Sequence, residues 1–279
     1  MRLQLALVVA ATAFTAGAAQ AASVDIHDAV ARVTVIPEDR ADVRVEITSA
    51  NARLPLKVTT SGDHTVIDGG LWHDIRNCGG MTDKAHVTVR GVGRVDYADM
   101  PQVVIHTPRA VVLSTNGAVQ GVIGRSASLE LHNSGCSAWT IADVAGDARL
   151  HESGAGSIRM GASNRLDVQL SGAANIHATA IRQGMDARLS GVGNVRVDQL
   201  SGSMDAQVSG VGKVDVSDGK AGMVRASVSG MGSVQFGGVA GDLDASISGL
   251  GSVRVNEVTG SVRKSVSGGG SVQIAKRPA

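Results

Sequence analysis

Ser190-Gly-Val-Gly-Asn-Val-Arg-Val, Ser209-Gly-Val-Gly-Lys-Val-Asp-Val, Ser229-Gly-Met-Gly-Ser-Val-Gln-Phe and Ser248-Gly-Leu-Gly-Ser-Val-Arg-Val repeat one pattern along the chain. Working outward, Ser-Gly recurs at Ser134, Ser153, Ser171, Ser190, Ser209, Ser229, Ser248 and Ser267, in steps of 19, 18, 19, 19, 20, 19 and 19 residues. Asn116-Gly117 stands one step earlier as a degenerate copy. A fixed period of this length marks a repeat architecture in which each unit is one supersecondary element. Within a unit the apolar period is two, as in Met204, Ala206 and Val208 and then Val214 and Val216, so the units are built of strands. Two strands, a shorter third side and Gly-marked corners close about 19 residues into one coil. The sequence predicts an all-β chain, a parallel β-helix (β-solenoid) with turns of about 19 residues.

Composition agrees. Of 279 residues 36 are glycine, and only Phe14, Trp72, Tyr97, Trp139 and Phe236 are aromatic. A thin core of small residues suits stacked coils better than a sphere, which needs large side chains inside. Stacking sets equivalent residues above one another. Leu131, Leu150, Val168, Ala187, Ala206, Ala226 and Ala245 read as one inward column. Cys136, Ala155, Ala173, Val192, Val211, Met231, Leu250 and Gly269, just after Ser-Gly, read as a second. Arg149, Asp167, Asp186, Asp205, Arg225, Asp244 and Arg263 form an outward column, and the serines another. The glycine after each serine is expected to supply a positive φ at a tight corner. Lys264 interrupts the alanine column and suggests an open final coil, ended by Lys276-Arg277-Pro278.

The chain divides by pattern into three parts. Residues 1–21 read as a signal peptide: Met1-Arg2, an apolar run from Leu3 to Ala18, and the small-x-small site Ala19-Gln20-Ala21. Residues 22–110 read as irregular early β coils, with Trp72 to Asp83 as an inserted loop and a separate small β domain as the alternative. Residues 111–279 read as the regular repeats. The expected location is therefore periplasmic or secreted to the cell surface, and no apolar run in the mature chain has the length of a membrane span.

Net charge is +1 with both signs scattered, so no basic stripe is present for nucleic acid. The isolated Trp and Tyr residues provide no stacking platform, which disfavours a lectin-like or polysaccharide-gripping groove. Cys78 and Cys136 are the only cysteines. An even count in an oxidising compartment invites a disulfide, whereas the inward repeat position of Cys136 suits a packed thiol. Candidate polar clusters are few. His132 and His151 occupy equivalent outward positions, flanked by Glu130 and Arg149, and read as solvated side chains. Asn133 and Glu152 stand at a normally inward position, which a locally bulged coil would explain. His73, Asp74 and Cys78 do not have the spacing of a nucleophile motif. The column Asp167, Asp186 and Asp205 reads as a solvated face. Glycine-x-glycine is followed by a strand each time, which excludes a dinucleotide turn. Valines (Val195, Val214, Val234, Val253) occupy the place of the aspartates in calcium-binding β-roll repeats.

The Ser-Gly-x-Gly-x-Val-x-Val units, and Pro108-Arg-Ala-Val-Val-Leu-Ser-Thr-Asn-Gly117 before them, resemble the head GIN domain family of auto-transporter adhesins. The resemblance runs from about Val33 to Ile274 and is strongest over Ser153 to Ile274. It implies an exported bacterial protein and a right-handed parallel β-helix, and it carries no catalytic residues with it. A true autotransporter would also need a membrane β-barrel, which this chain is too short to add. The combined expectation is a non-catalytic structural or binding protein of the cell envelope. It has no cofactor or metal, and its partner is an unidentified envelope or surface component. A carbohydrate-active β-helix enzyme and a filament-forming scaffold are the alternatives.

Overall fold

The computed structural model describes residues 22–80 and 84–277; the expected signal peptide lies outside them. The chain winds into a β-solenoid of about nine stacked parallel coils of about 19 residues. Strands Ala155–Leu170, Ala173–Leu189, Val192–Val208, Val211–Val228 and Ser233–Ile247 each run through a corner and pair in parallel with the coil before and after. The inward column before Ser-Gly is as the period implies: Leu131, Leu150, Val168, Ala187, Ala206 and Ala245 are fully buried. Val195, Val214, Val234 and Val253 form a second buried column on the other sheet, and Val197, Val216, Phe236 and Val255 a third. Each coil buries its edges only against its neighbours, so the core is continuous along the axis.

Two features of the repeat differ from the sequence reading. The residues just after Ser-Gly face solvent: Val192 is 59% exposed, Val211 46%, Met231 66% and Leu250 70%. The strand phase is fixed by the buried Val195 and Val197, and counting back by twos makes Gly193 inward and Val192 outward. Leu250→Ala is accordingly expected to change stability by no more than about 0.5 kcal/mol, whereas Val253→Ala in the adjoining buried column costs about 2 kcal/mol. Paired urea melts check this, and equal losses would restore the opposite phase.

The second difference concerns the glycines. Positive φ occurs in this column at Gly117 and Gly268, but not at Gly135, Gly154, Gly172, Gly191, Gly210, Gly230 or Gly249. Close approach, not turn geometry, requires glycine there. A Cβ at Gly210 would lie 2.0 Å from the Gly191 carbonyl oxygen, and one at Gly191 would lie 2.0 Å from that of Gly172.

The first coil is Ser23–Glu38, which pairs in parallel with Ala110–Ile123 on one side and with His64–Asp68 and Gln102–Pro108 on the other. Antiparallel strands then cover this end: Lys57–Ser61 on His64–Asp68, and Arg44–Ser49 on Gln102–Pro108. Between them, Ile75–Gly79, His86–Val89 and Gly93–Asp96 form a separate antiparallel sheet, so the inserted segment is structured beyond a loop. Its Val87, Val89 and Val95 pack with Leu54, Met100, Val30 and Ala118 in a small second core. Cys78 of this sheet and Cys136 of the solenoid are joined by a disulfide, with Cα atoms 6.1 Å apart. Cys136 is thus half-buried on the outer side of its strand, facing the inserted sheet and not the solenoid core. The cause is the same phase that exposes Val192.

The last strands, Val262–Val266 and Ser271–Lys276, have one neighbour coil each. Lys264 pairs with Ala245 in register and is exposed, as an open final coil requires. No helix among the described residues is long and apolar enough to cross a membrane.

Candidate functional site

The sheet that leads into each Ser-Gly corner presents a long polar face. Parallel pairing without a slip sets Ser114, His132, His151, Gln169, Arg188 and Gln207 in one column. The serines Ser134, Ser153, Ser171, Ser190, Ser209 and Ser229 run beside it at the corner. Two concavities follow these columns. One of about 400 Å³ is lined by Asp25, His27, Ser114, His132, His151, Gln169 and the neighbouring serines. The other, of about 410 Å³, is lined by Gln169, Arg188, Gln207, Ser190, Ser209 and Ser229. Both include Gln169 and Ser171, so they adjoin there and follow one another along the solenoid axis, together a groove. From Asn116 to Ser229 it crosses seven coils, about 29 Å at roughly 4.8 Å per step. Beyond the serines, on the far side of the corner, Val192, Val211, Met231 and Leu250 form an exposed apolar ridge parallel to it.

At one end of the groove the histidine rings of His132 and His151 stack, with centroids 4.4 Å apart and planes 7° from parallel. Glu130 and His132 Nε2 share a hydrogen bond of 2.8 Å, and this bond is the main cause that holds the Glu130 carboxyl below its ordinary value. Behind the histidines, Thr115, Asn133 and Glu152 point inward and are buried, at 3%, 2% and 1% exposure. The strands of Asn133 and Glu152 keep regular register with both neighbours, so no bulge explains these two, contrary to the sequence reading. They tolerate burial because they satisfy one another. The Thr115 hydroxyl donates to Asn133 Oδ1 at 2.8 Å, and Asn133 Nδ2 donates to both Glu152 oxygens at 2.9 and 2.7 Å. The Gly154 N–H donates to Glu152 Oε1 at 2.9 Å.

Burial pushes the Glu152 carboxyl above the ordinary carboxylate range, against the hydrogen bonds from Asn133 and Gly154. The folded protein therefore holds the proton more tightly than the unfolded chain does. The contribution to stability is greatest below the ordinary carboxylate value and is lost as pH rises through the raised one. Glu152→Gln, a neutral isostere, is expected to raise the melting temperature at pH 7, with the gain shrinking as pH is lowered toward 4. A gain independent of pH would show that the carboxylate charge is not its source.

The remaining polar clusters do not converge. Cys78 is consumed in its disulfide, His73 stands edge-on to Trp72 with centroids 5.0 Å apart, and Asp74 lies 3.8 Å from Arg90. Asp167, Asp186 and Asp205 are direct register partners on three successive coils. Burial, aided by the like charges of Asp205 and Asp167, raises the Asp186 carboxyl, and Arg188 works the other way.

The first coil holds a group that the sequence reading did not single out. Ser23 Oγ lies 2.9 Å from His64 Nδ1, and His64 Nε2 lies 3.3 Å from Asp25. One step along the same two strands, His27, Asp28 and Asp68 bring one imidazole and two carboxylates within 4.8 Å of one another. No repeat links residues 23–28 to 64–68, so nothing in the spacing announces their pairing.

Residues 180–278 match the model of the family described as "Putative auto-transporter adhesin, head GIN domain", the family that the Ser-Gly units resemble. Among solved structures, the chain is similar to a "putative adhesin" from Bacteroides fragilis, with 15% identity, a TM-score of 0.45, and 91% of this chain and 92% of that one covered. It is also similar to a "putative lipid binding protein" from Parabacteroides distasonis, with 18% identity, a TM-score of 0.46, and 92% and 93% covered. No curated protein matches.

Proposed function

We propose that this chain is an exported, non-catalytic binding protein of the cell envelope that holds an extended, hydroxyl-rich polymer, a surface glycan, along its groove. The single observation that carries this reading is that two adjoining concavities follow one polar column over seven coils. Their lining repeats serine hydroxyls beside His132, His151, Gln169, Arg188 and Gln207. The serine, histidine and glutamine groups both donate and accept hydrogen bonds and Arg188 donates, so a repeating polymer can meet polar partners at every coil. Without aromatic faces each contact is weak, so affinity has to come from the number of coils engaged. The matched family, described as an adhesin, fits a surface-binding role.

Passive binding is favoured over turnover by the setting of the polar groups. Catalysis needs an acid, base or nucleophile beside groups that stabilise developing charge. Here His132 and His151 lie half-exposed on an open face, and the buried Glu152 has its oxygens occupied by Asn133 and Gly154. The test is retention on a panel of immobilised bacterial and plant polysaccharides, comparing wild type with the triple variant Gln169→Ala, Arg188→Ala, Gln207→Ala. Retention of wild type alone, with no release of sugar, is expected. Equal retention of both proteins, or turnover of a retained polysaccharide, would overturn the reading.

A further inference from the structure

We propose that His27, Asp28 and Asp68 bind a divalent transition-metal ion of the zinc class at the first coil. The residues are placed for it by the backbone. His27 and Asp68 are direct partners in the parallel pairing of Ser23–Glu38 with His64–Asp68. Strict alternation after Ile26 would turn Asp28 into the core. Instead the register against the next coil slips between Ile26 and Ala29, and Asp28 takes φ 52°, a rare conformation for a residue with a side chain. The slip re-aims its carboxylate beside His27, as bulges next to sites do. The Gly69 N–H donates to the His27 carbonyl at 3.1 Å, and the Leu71 N–H to the Asp28 carbonyl at 2.9 Å. A Cβ at Gly69 would meet the Asp28 carbonyl oxygen at 2.4 Å, so the turn after Asp68 closes only with glycine there. The Gly70 N–H orients Asp68 by donating to its Oδ1 at 2.7 Å.

The donor geometry fits a small, borderline-soft ion. His27 Nδ1 lies 3.4 Å from Asp28 Oδ2 and 3.7 Å from Asp68 Oδ1. Ligands at about 2.1 Å from a tetrahedral zinc are separated from one another by about 3.4 Å. Imidazole with carboxylates selects zinc, cobalt or nickel over calcium and magnesium, which prefer all-oxygen sets. Charge points the same way. Among the described residues, His27 is the only ion partner found for either carboxylate, and no lysine or arginine neutralises the pair. Asp28 is only 16% exposed, while His27 and Asp68 are about two-fifths exposed, leaving one side open for water or a ligand atom. Because His27 also lines the groove, the ion would stand at its end, with an open coordination position for an oxygen of whatever lies there. The metal site does not depend on that occupant being a glycan.

The test is calorimetric titration of the EDTA-treated mature protein with zinc, and visible absorption with cobalt as the spectroscopic probe. One ion per chain is expected, with a cobalt spectrum of low coordination number. Asp68→Asn and His27→Gln should each weaken binding about tenfold or more with the melting temperature of the metal-free protein little changed. The double variant His132→Gln, His151→Gln should bind as wild type does. Absence of stoichiometric zinc binding would overturn the proposal. So would binding that survives Asp68→Asn but is lost in the His132, His151 variant, or a preference for calcium over zinc.

Discussion

Placing valine at Gly210 is expected to cost about 4 kcal/mol or more, among the largest effects open to a single substitution in this chain. A Cβ there would lie 2.0 Å from the Gly191 carbonyl oxygen and 2.7 Å from that of Ser190. Both are backbone atoms, and the coils cannot separate to admit it. The Ser209 N–H donates to the Leu189 carbonyl at 2.8 Å and the Val211 N–H to the Gly191 carbonyl at 3.1 Å, pinning the spacing on both sides. Gly222 is the control. Its Cβ would meet nothing within 4 Å and its φ is not positive, so Gly222→Ala should stabilise by about 0.4–1 kcal/mol through the unfolded chain. Chemical denaturation of the two variants separates the readings. If Gly210→Val melts like wild type, the glycine column is not a contact between coils.

The second large effect is expected from the disulfide. Cys78 and Cys136 are 58 residues apart, and a closed loop of that size removes about 4 kcal/mol of entropy from the unfolded chain on the chain-entropy account. The bond also ties the inserted sheet to the solenoid across the small core of Val87, Val89, Val95, Leu54 and Met100. Replacing both cysteines by serine should therefore shift the folding equilibrium by about a thousandfold and open the insert first. Limited proteolysis would show this as cleavage at Lys84, Arg90 or Arg94 well before any cut in the repeats. Simultaneous cleavage in both parts would mean that insert and solenoid unfold as one unit.

The architecture was legible because the Ser-Gly spacing gives the coil length directly, and alternation within a unit gives strands. The phase of each strand was only partly legible. Alternation places Leu131 to Ala245 in the core, and they are there. Val192, Val211, Met231 and Leu250, which read as an inward column just after Ser-Gly, lie outside, because alternation counted from Val195 outweighs the character of any one side chain. Asn133 and Glu152 look misplaced when each is read alone. Their burial makes sense only with Thr115 and with each other as partners, and hydrogen-bond partners across coils are not visible in a string. The serine column beside the groove could be listed from the repeat, but the concavity along it could not. The grouping of His27, Asp28 and Asp68 was illegible, since it depends on a strand pairing about forty residues apart and on one register slip.

The glycine column has a bearing on how such a protein can change. Where coils touch through peptide groups, the pitch is set by atoms that every residue shares, and outward side chains are free to vary without disturbing it. Reach then becomes a counted quantity. Duplicating residues 190–208 would add one rung of about 4.8 Å to the groove, with its own serine, its own outward polar pair and the same seat for the next coil. A lineage could in this way match the length of its surface to the length of what it holds by copying segments, leaving the chemistry of each rung to be tuned separately.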